Sequence, residues 1–120
     1  IGIDIYSKLA EQSLNNINKD NSDLLKNDKL EIIVGDGWEG YPGILFDAIH
    51  VGATAEELPI KLWRQLKPGG KMVIPIQTPD GQIFRLYHKP QYWNRICDTK
   101  PYECYKKDLL GVRYVPLQKQ

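Results

Sequence analysis

Apolar residues along the chain fall into short clusters whose spacing switches between strand and helix periods, each cluster closed by polar or glycine-containing turns. Ile1, Gly2 and Ile3 form a brief apolar run ended by Asp4. Leu9, Ser13, Leu14 and Ile17 then recur at helical spacing, with Ser7 placed to cap the helix start. Asn18 to Asp28 is crowded with Asn, Asp and Lys and predicts a solvated loop. Leu30 to Val34 reads as a second strand. Phe46 to Val51 reads as a third, apolar except for Asp47 and His50.

Leu58, Leu62, Trp63 and Leu66 follow at i, i+4, i+5 and i+8, one face of a helix. Thr54 and Glu57 have capping-box spacing, but Pro59 fits only a first turn, so the helix is expected to start nearer Leu58. Lys67-Pro68-Gly69-Gly70 stops it and turns the chain. Lys71 to Ile76 and Gln82 to His88 are two more strands, and Thr78-Pro79-Asp80-Gly81 between them predicts an antiparallel hairpin. Lys89 to Lys107 holds aromatic residues without a clean period. Val112 to Leu117 predicts a last strand, with Pro116 at an edge or end. The order of elements implies an α/β fold whose mixed, mainly parallel sheet ends in antiparallel C-terminal strands.

Composition narrows the picture. A chain of 120 residues forms at most one domain, and 16 basic against 15 acidic residues, a net charge of +1, give no face built to neutralise phosphates. Nucleic acid is therefore not the expected partner. No apolar run approaches the ~20 residues of a membrane span and no signal-peptide pattern occurs, so the expectation is a soluble, cytoplasmic protein. Cys97 and Cys104 lack the spacing of a zinc site and are too few for a disulfide scaffold. His50 and His88 have no metal-ligand spacing, and no metal is expected. The chain opens without methionine on what reads as a strand in progress, which suggests that residues 1–120 are the C-terminal part of a single larger domain.

Candidate chemistry gathers at strand ends, where ligands bind in open α/β sheets. Asp4 ends the first strand. Its carboxylate offers two acceptors suited to a ribose diol, or it stabilises the following helix N-terminus. Asp36 lies between Gly35 and Gly37, which leave room for a flat ring against the backbone; the alternative is a turn that needs glycine for conformational reasons. His50 is a candidate base or simply a packed residue. Gly52 and Ala53 suit a strand end facing a ligand. Trp38 and Tyr41 either stack on that ligand or pack. No phosphate loop, HExxH or GxSxG motif is present.

IGID, VGDGWEGYP, FDAIHVGA, LKPGGKMVIPI and LLGVRYVPL, taken together and in that order, resemble the protein-L-isoaspartate (D-aspartate) O-methyltransferases across nearly the whole chain. Asn94 to Tyr105 corresponds least. The resemblance implies the Rossmann-like fold of S-adenosylmethionine-dependent methyltransferases, incomplete at its N-terminus, with S-adenosyl-L-methionine as cofactor. It implies that Asp4 holds the ribose, that Asp36 and Gly37, with Gly35 beside them, contact adenine, and that His50, Val51 and Gly52 line the active site. Val112 would contact substrate. The implied reaction methylates the free α-carboxylate of L-isoaspartyl and D-aspartyl residues in damaged proteins, and the ester then collapses to a succinimide that starts repair.

The glycine-rich cofactor loop and the serine-containing substrate segment of the family have no counterpart in this chain. The strand that carries that loop would sit between the strands ending at Asp4 and near His50, so unpaired edges are expected. By itself the chain is expected neither to fold stably nor to turn over. Two rival readings remain: a methyltransferase of another substrate class, and a methyltransferase-like partner-binding module.

Overall fold

The computed structural model describes residues 1–27, 30–41, 43–91, 106–113 and 116. Two units pack separately, one from Ile1 to Gly40 and one from Tyr41 to Leu117.

In the first unit β1 (Gly2–Asp4) leads into α1 (Ser7–Asp20), α2 (Ser22–Lys26) and β2 (Ile32–Val34). The two strands pair in parallel, Gly2 against Ile32 and Asp4 against Val34. Tyr6 rather than Ser7 is the N-cap of α1, because the Asp4 carboxylate already turns the chain there by accepting the Tyr6 N–H at 2.9 Å. The expected loop at Asn18 to Asp28 is largely helical. Asn21 donates to the Ile17 carbonyl at 2.7 Å and Asn27 to that of Asp23 at 2.9 Å, so the polar residues there form the solvated side of two helices. Ala10 is the buried contact of α1, whereas Leu9 is exposed.

The second unit holds β3 (Phe46–His50), α3 (Ile60–Arg64), β4 (Leu66–Thr78), β5 (Gly81–His88) and β6 (Lys106–Val112), with strand order β3-β4-β5-β6. β3 and β4 are parallel and the other two pairs antiparallel, so β6 again runs in the direction of β3. Among the described strands two pairings are parallel and two antiparallel, and the antiparallel ones are those of the C-terminal strands, as expected. The hairpin expected at Thr78 to Gly81 forms, closed by the Thr78 hydroxyl donating to the Gly81 carbonyl at 2.7 Å. The last strand starts at Lys106 and stops at Val112, earlier than the pattern of Val112 to Leu117 suggested. Pro116 instead bridges singly to Thr54. Cys97 and Cys104 lie outside the described residues, as does most of the segment from Lys89 to Lys107.

Leu58, Leu62, Trp63 and Leu66 are all buried, together with Met72, Ile74, Ile76 and Tyr87. Each large apolar side chain removed from water contributes about 1.5–3 kcal/mol, so this cluster is the main cohesion of the unit. α3 starts at Ile60, after Pro59, whose extended backbone makes it the cap, while Thr54 is drawn into the strand-end loop and plays no part in a capping box. Lys89 closes the other end of α3, donating to the Leu66 carbonyl at 3.0 Å and the Trp63 carbonyl at 3.3 Å, with its ammonium 5.6 Å from the centre of the Trp63 ring.

Lys67-Pro68-Gly69-Gly70 is a bulge at the start of β4 rather than a turn outside it, since pairing with β3 shifts between Leu66 and Lys71. Gly69 has φ +82, and a Cβ on Gly70 would lie 2.8 Å from the Lys67 carbonyl oxygen and 3.1 Å from that of Asp47. Backbone cannot swing aside as a side chain can. Gly70→Ala is therefore expected to destabilise the intact protein by about 1–3 kcal/mol, read as a lower urea midpoint at unchanged slope. An unchanged midpoint would mean that the bulge opens freely.

Candidate functional site

Parallel pairing carries Asp4 and Asp36 to neighbouring strand ends. Gly35 donates to the Asp4 carbonyl at 2.9 Å, which continues the β1–β2 ladder one step and leaves the two acids at adjacent strand exits. Each carboxylate makes the same local bond: Asp4 Oδ1 accepts the N–H of Tyr6 and Asp36 Oδ1 accepts that of Trp38, both at 2.9 Å. Such a bond to the residue two positions ahead fixes the carboxylate's direction. Among the described residues the second oxygen of Asp4 takes no protein donor. The Gly35 to Gly40 loop is closed by Glu39 donating to Asp36 at 3.0 Å and Gly40 to Gly37 at 3.2 Å.

The glycines distinguish two explanations. Positive φ occurs at Gly40, Gly43, Gly69 and Gly81, and neither Gly35 nor Gly37 is among them. Backbone conformation does not require glycine beside Asp36. A Cβ on Gly35 would meet only the Ile3 side chain at 3.5 Å, an ordinary contact. Gly35 thus has room for a side chain that the sequence does not supply, beside a half-buried carboxylate.

In the second unit the strand end after His50 is tied to β4 by backbone hydrogen bonds. Val51 donates to Val73 at 3.0 Å, Ala55 to Pro75 at 3.0 Å, and Gln77 returns a bond to Ala55 at 2.8 Å. Pro75 is tolerated inside β4 because it lies past the end of β3, where its missing N–H would have faced this loop rather than a strand. Val51 is buried while His50 and Gly52 are exposed. The His50 ring meets Phe84 of β5, centroids 6.2 Å apart and tilted by 59°. No carboxylate is found against it among the described residues, and no cluster of three or more metal-ligating groups occurs among them. Asp47, earlier on β3, is exposed and faces Lys67 at 3.4 Å.

Val112 ends β6 opposite Gln82. β3 and β6 run the same way, but the registers set His50 level with Val73, Leu86 and Lys107 and set Val112 level with Gln82 and Gln77, so Val112 stands beyond β4 and β5 and about 13 Å further along the strand direction. β6 is held in place by a polar chain that sequence pattern did not reveal. Arg85 Nε donates to Asp108 at 2.6 Å and its Nη1 to the Tyr87 hydroxyl at 3.4 Å, while the Tyr87 ring packs edge-on against Trp63. The Arg85 bond holds the Asp108 carboxyl below its ordinary range, and burial pushes the Tyr87 hydroxyl up.

Parallel strands joined through helices, with acids and glycines at their carboxyl ends, define an α/β domain of the nucleotide-binding kind. The family model for Protein-L-isoaspartate(D-aspartate) O-methyltransferase (PCMT) matches residues 1–120, and the chain belongs to that family. It is 40% identical over 119 residues to Protein-L-isoaspartate O-methyltransferase 1 of Arabidopsis thaliana, covering 98% of this chain and 47% of the relative. To the Protein-L-isoaspartate O-methyltransferase of Caenorhabditis elegans it is 41% identical over 91 residues, 74% of this chain and 40% of that one. A crystal structure of a Plasmodium falciparum beta-aspartate methyltransferase (PCMT) in complex with S-adenosyl-L-homocysteine superposes with a TM-score of 0.81 at 32% identity, over 99% of this chain and 52% of its own. The chain thus has the Rossmann-like methyltransferase fold and spans about half the length of these relatives.

Acid should loosen the β5–β6 pairing. With Asp108 depressed in the folded state, its contribution is complete above the ordinary aspartate value of ~3.9 and is lost as pH falls through the lower folded value. In the intact protein the stability gap between wild type and Asp108→Asn is expected to be larger at pH 6 than near pH 3. Equal gaps at both pH values would show that the pair contributes nothing.

Proposed function

We propose that this chain supplies the adenosine grip and the methyl-transfer floor of an enzyme that methylates the free α-carboxylate of L-isoaspartyl and D-aspartyl residues in damaged proteins. The observation that carries the reading is the pair of strand-end carboxylates, Asp4 and Asp36, each fixed by its own turn and flanked in Asp36's case by glycines that the backbone does not demand. Membership of the family over residues 1–120 supplies the reaction class.

S-adenosyl-L-methionine, the proposed cofactor, would bring an electrophilic methyl group on a sulfonium. The donor set fits its adenosine part. Asp4 has a carboxylate oxygen left for a ribose hydroxyl, and Asp36, between Gly35 and Gly37, would offer adenine a carboxylate acceptor with no bulky side chain on either neighbour. His50, Val51 and Gly52 line the strand end as a floor without a base, and Val112 meets the substrate. A substrate carboxylate with a pKa of about 4 would be ionised at neutral pH, so this floor would need to hold it in line with the methyl group the cofactor supplies and no residue would need to take a proton. The task is alignment. Opposite charges cancel as the bond forms, so a floor of uncharged residues does not oppose the reaction. The ester then closes to a succinimide, which starts repair.

The chain by itself is proposed to be inactive. Among the described strands β1 is paired on one side and β3 stands at the end of its sheet, so each has an edge that a further strand would fill, and the relatives are about twice as long. Residues 1–120 alone are expected to give no methyl transfer to an isoaspartyl peptide, and the chain joined to the remainder of the domain should methylate isoaspartyl but not aspartyl peptide. Robust activity from residues 1–120 alone would sink the proposed dependence, and equal use of both peptides would point to another substrate class. In the complete enzyme Asp36→Ala should weaken S-adenosylhomocysteine binding by about ten- to a hundredfold in calorimetry. Absence of any heat with the unmodified complete protein would favour a partner-binding module instead.

A further inference from the structure

Every side chain of β6 from Lys106 to Leu110 is exposed and Gly111 has none, so burial does not choose how this strand lies on β5. The pairing is also interrupted. Arg85 lies opposite Asp108 and Phe84 opposite Leu110, so Leu109 has no partner of its own in the ladder and forms a bulge. Directly beside that bulge Arg85 Nε donates to Asp108 Oδ1 at 2.6 Å. The arginine side chain is 14% exposed and the aspartate 53%, so the fixed member of the pair is the one on β5. Its Nη1 reaches the hydroxyl of the buried Tyr87 at 3.4 Å, which ties the pair to the core of this unit. Only Leu110 and Gly111 separate the bulge from Val112. Undoing the bulge with Asp108 kept opposite Arg85 would set Gly111 against Gln82, carrying Val112 ~3.3 Å along the strand and onto the other face of the sheet.

We infer that Arg85 and Asp108 are positioning residues for the substrate: their ion pair anchors β6 at its bulge and so holds Val112 at the height and on the face where it meets the isoaspartyl peptide. The inference deepens the proposed role of Val112 and rests on that reading. With Lys106 to Gly111 exposed, loss of the pair leaves the end of β6 free to take further positions, and a peptide that needs one of them binds more weakly in proportion to the population lost. Arg85, Asp108 and Val112 all belong to the second unit. Neither member of the pair is part of the proposed adenosine grip or of the floor, so kcat and cofactor affinity have no reason to change.

The test uses the complete protein and compares Asp108→Ala, Arg85→Met and the double variant. Each single change is expected to raise the KM for isoaspartyl peptide about three- to tenfold, and the double variant no further, because either change already breaks the pair. The kcat and the Kd for S-adenosylhomocysteine should stay within about twofold. Amide hydrogen exchange at Gly111 and Val112 should quicken in Asp108→Ala while that of Met72 and Ile74 does not. Asp108 is exposed, so Asp108→Ala carries the test should Arg85→Met not fold. A lower Tm with unchanged peptide KM would make the pair purely structural and overturn the inference, as would single effects that add in the double variant. Val112→Ala separates the two readings. If it leaves the peptide KM unchanged, the role of Val112 fails and the inference with it; if it raises the KM and Asp108→Ala does not, the inference fails alone.

Discussion

Parallel pairing aligns the carboxyl ends of strands, and the candidate groups on β1, β2 and β3 depend on that alignment. In β1 and β2 the register sets Asp4 opposite Val34, so the next residues along, Gly35 and Asp36, emerge beside it. A slip of one residue would turn the side chains of β2 to the other face and break the match between the two acids. The local turns at Asp4 and Asp36 then act only on direction. Each carboxylate binds its own backbone two residues ahead, which costs no long-range contact and stays fixed while the rest of the loop varies.

The second unit secures its strand end differently. His50 is exposed and Gly52 has no side chain, while Val51, Thr54 and Ala55 are buried; alternate residues of β4, Val73, Pro75 and Gln77, add backbone bonds to that packing. That makes the stretch only as firm as β4, and β4 is firm because Met72, Ile74 and Ile76 are buried with α3 and Tyr87. The Trp63–Tyr87–Arg85–Asp108 chain extends the same core to β6 and hence to Val112. Helix α3 thus serves three ends at once: its apolar face the core, its last carbonyls Lys89, and its cap the loop that precedes β3.

How much of this was legible in the sequence follows from the range of each interaction. The strands that end in glycine, the hairpin at Thr78 to Gly81 and the buried quartet of Leu58, Leu62, Trp63 and Leu66 are local patterns, and the structure keeps all of them. The candidate residues Asp4, Asp36 and His50 do stand at strand ends as expected. α2 was missed because its polar residues match a solvated loop as well as a solvated helix face. β6 was misplaced since its residues from Lys106 to Gly111 are exposed, leaving no alternation for a pattern to detect. Gln65 and Arg85 act on partners 24 and 23 positions away, and a single sequence has no period at that distance. The one trace of Gln65 was its place just before Leu66-Lys67-Pro68-Gly69-Gly70, at the expected helix C-terminus, and nothing there points to its partner Tyr41.

Charge placement separates the two parts of the proposed site. The acids that would hold a sugar and a base, Asp4 and Asp36, lie on the β1–β2 strand ends, whereas Val51, Gly52 and Ala53 are uncharged. An acid on that floor would repel an anionic substrate and would compete with it for an electrophilic methyl. The nearest acid on the same strand, Asp47, precedes His50 by three residues, about 10 Å along β3, and faces Lys67 at the opposite end. His50 is equally uncommitted as a base: its ring meets Phe84, a hydrocarbon face that can orient an imidazole but cannot accept its proton. A carboxylate nucleophile arrives already deprotonated, so a floor that offers shape without proton acceptance is the chemically consistent one.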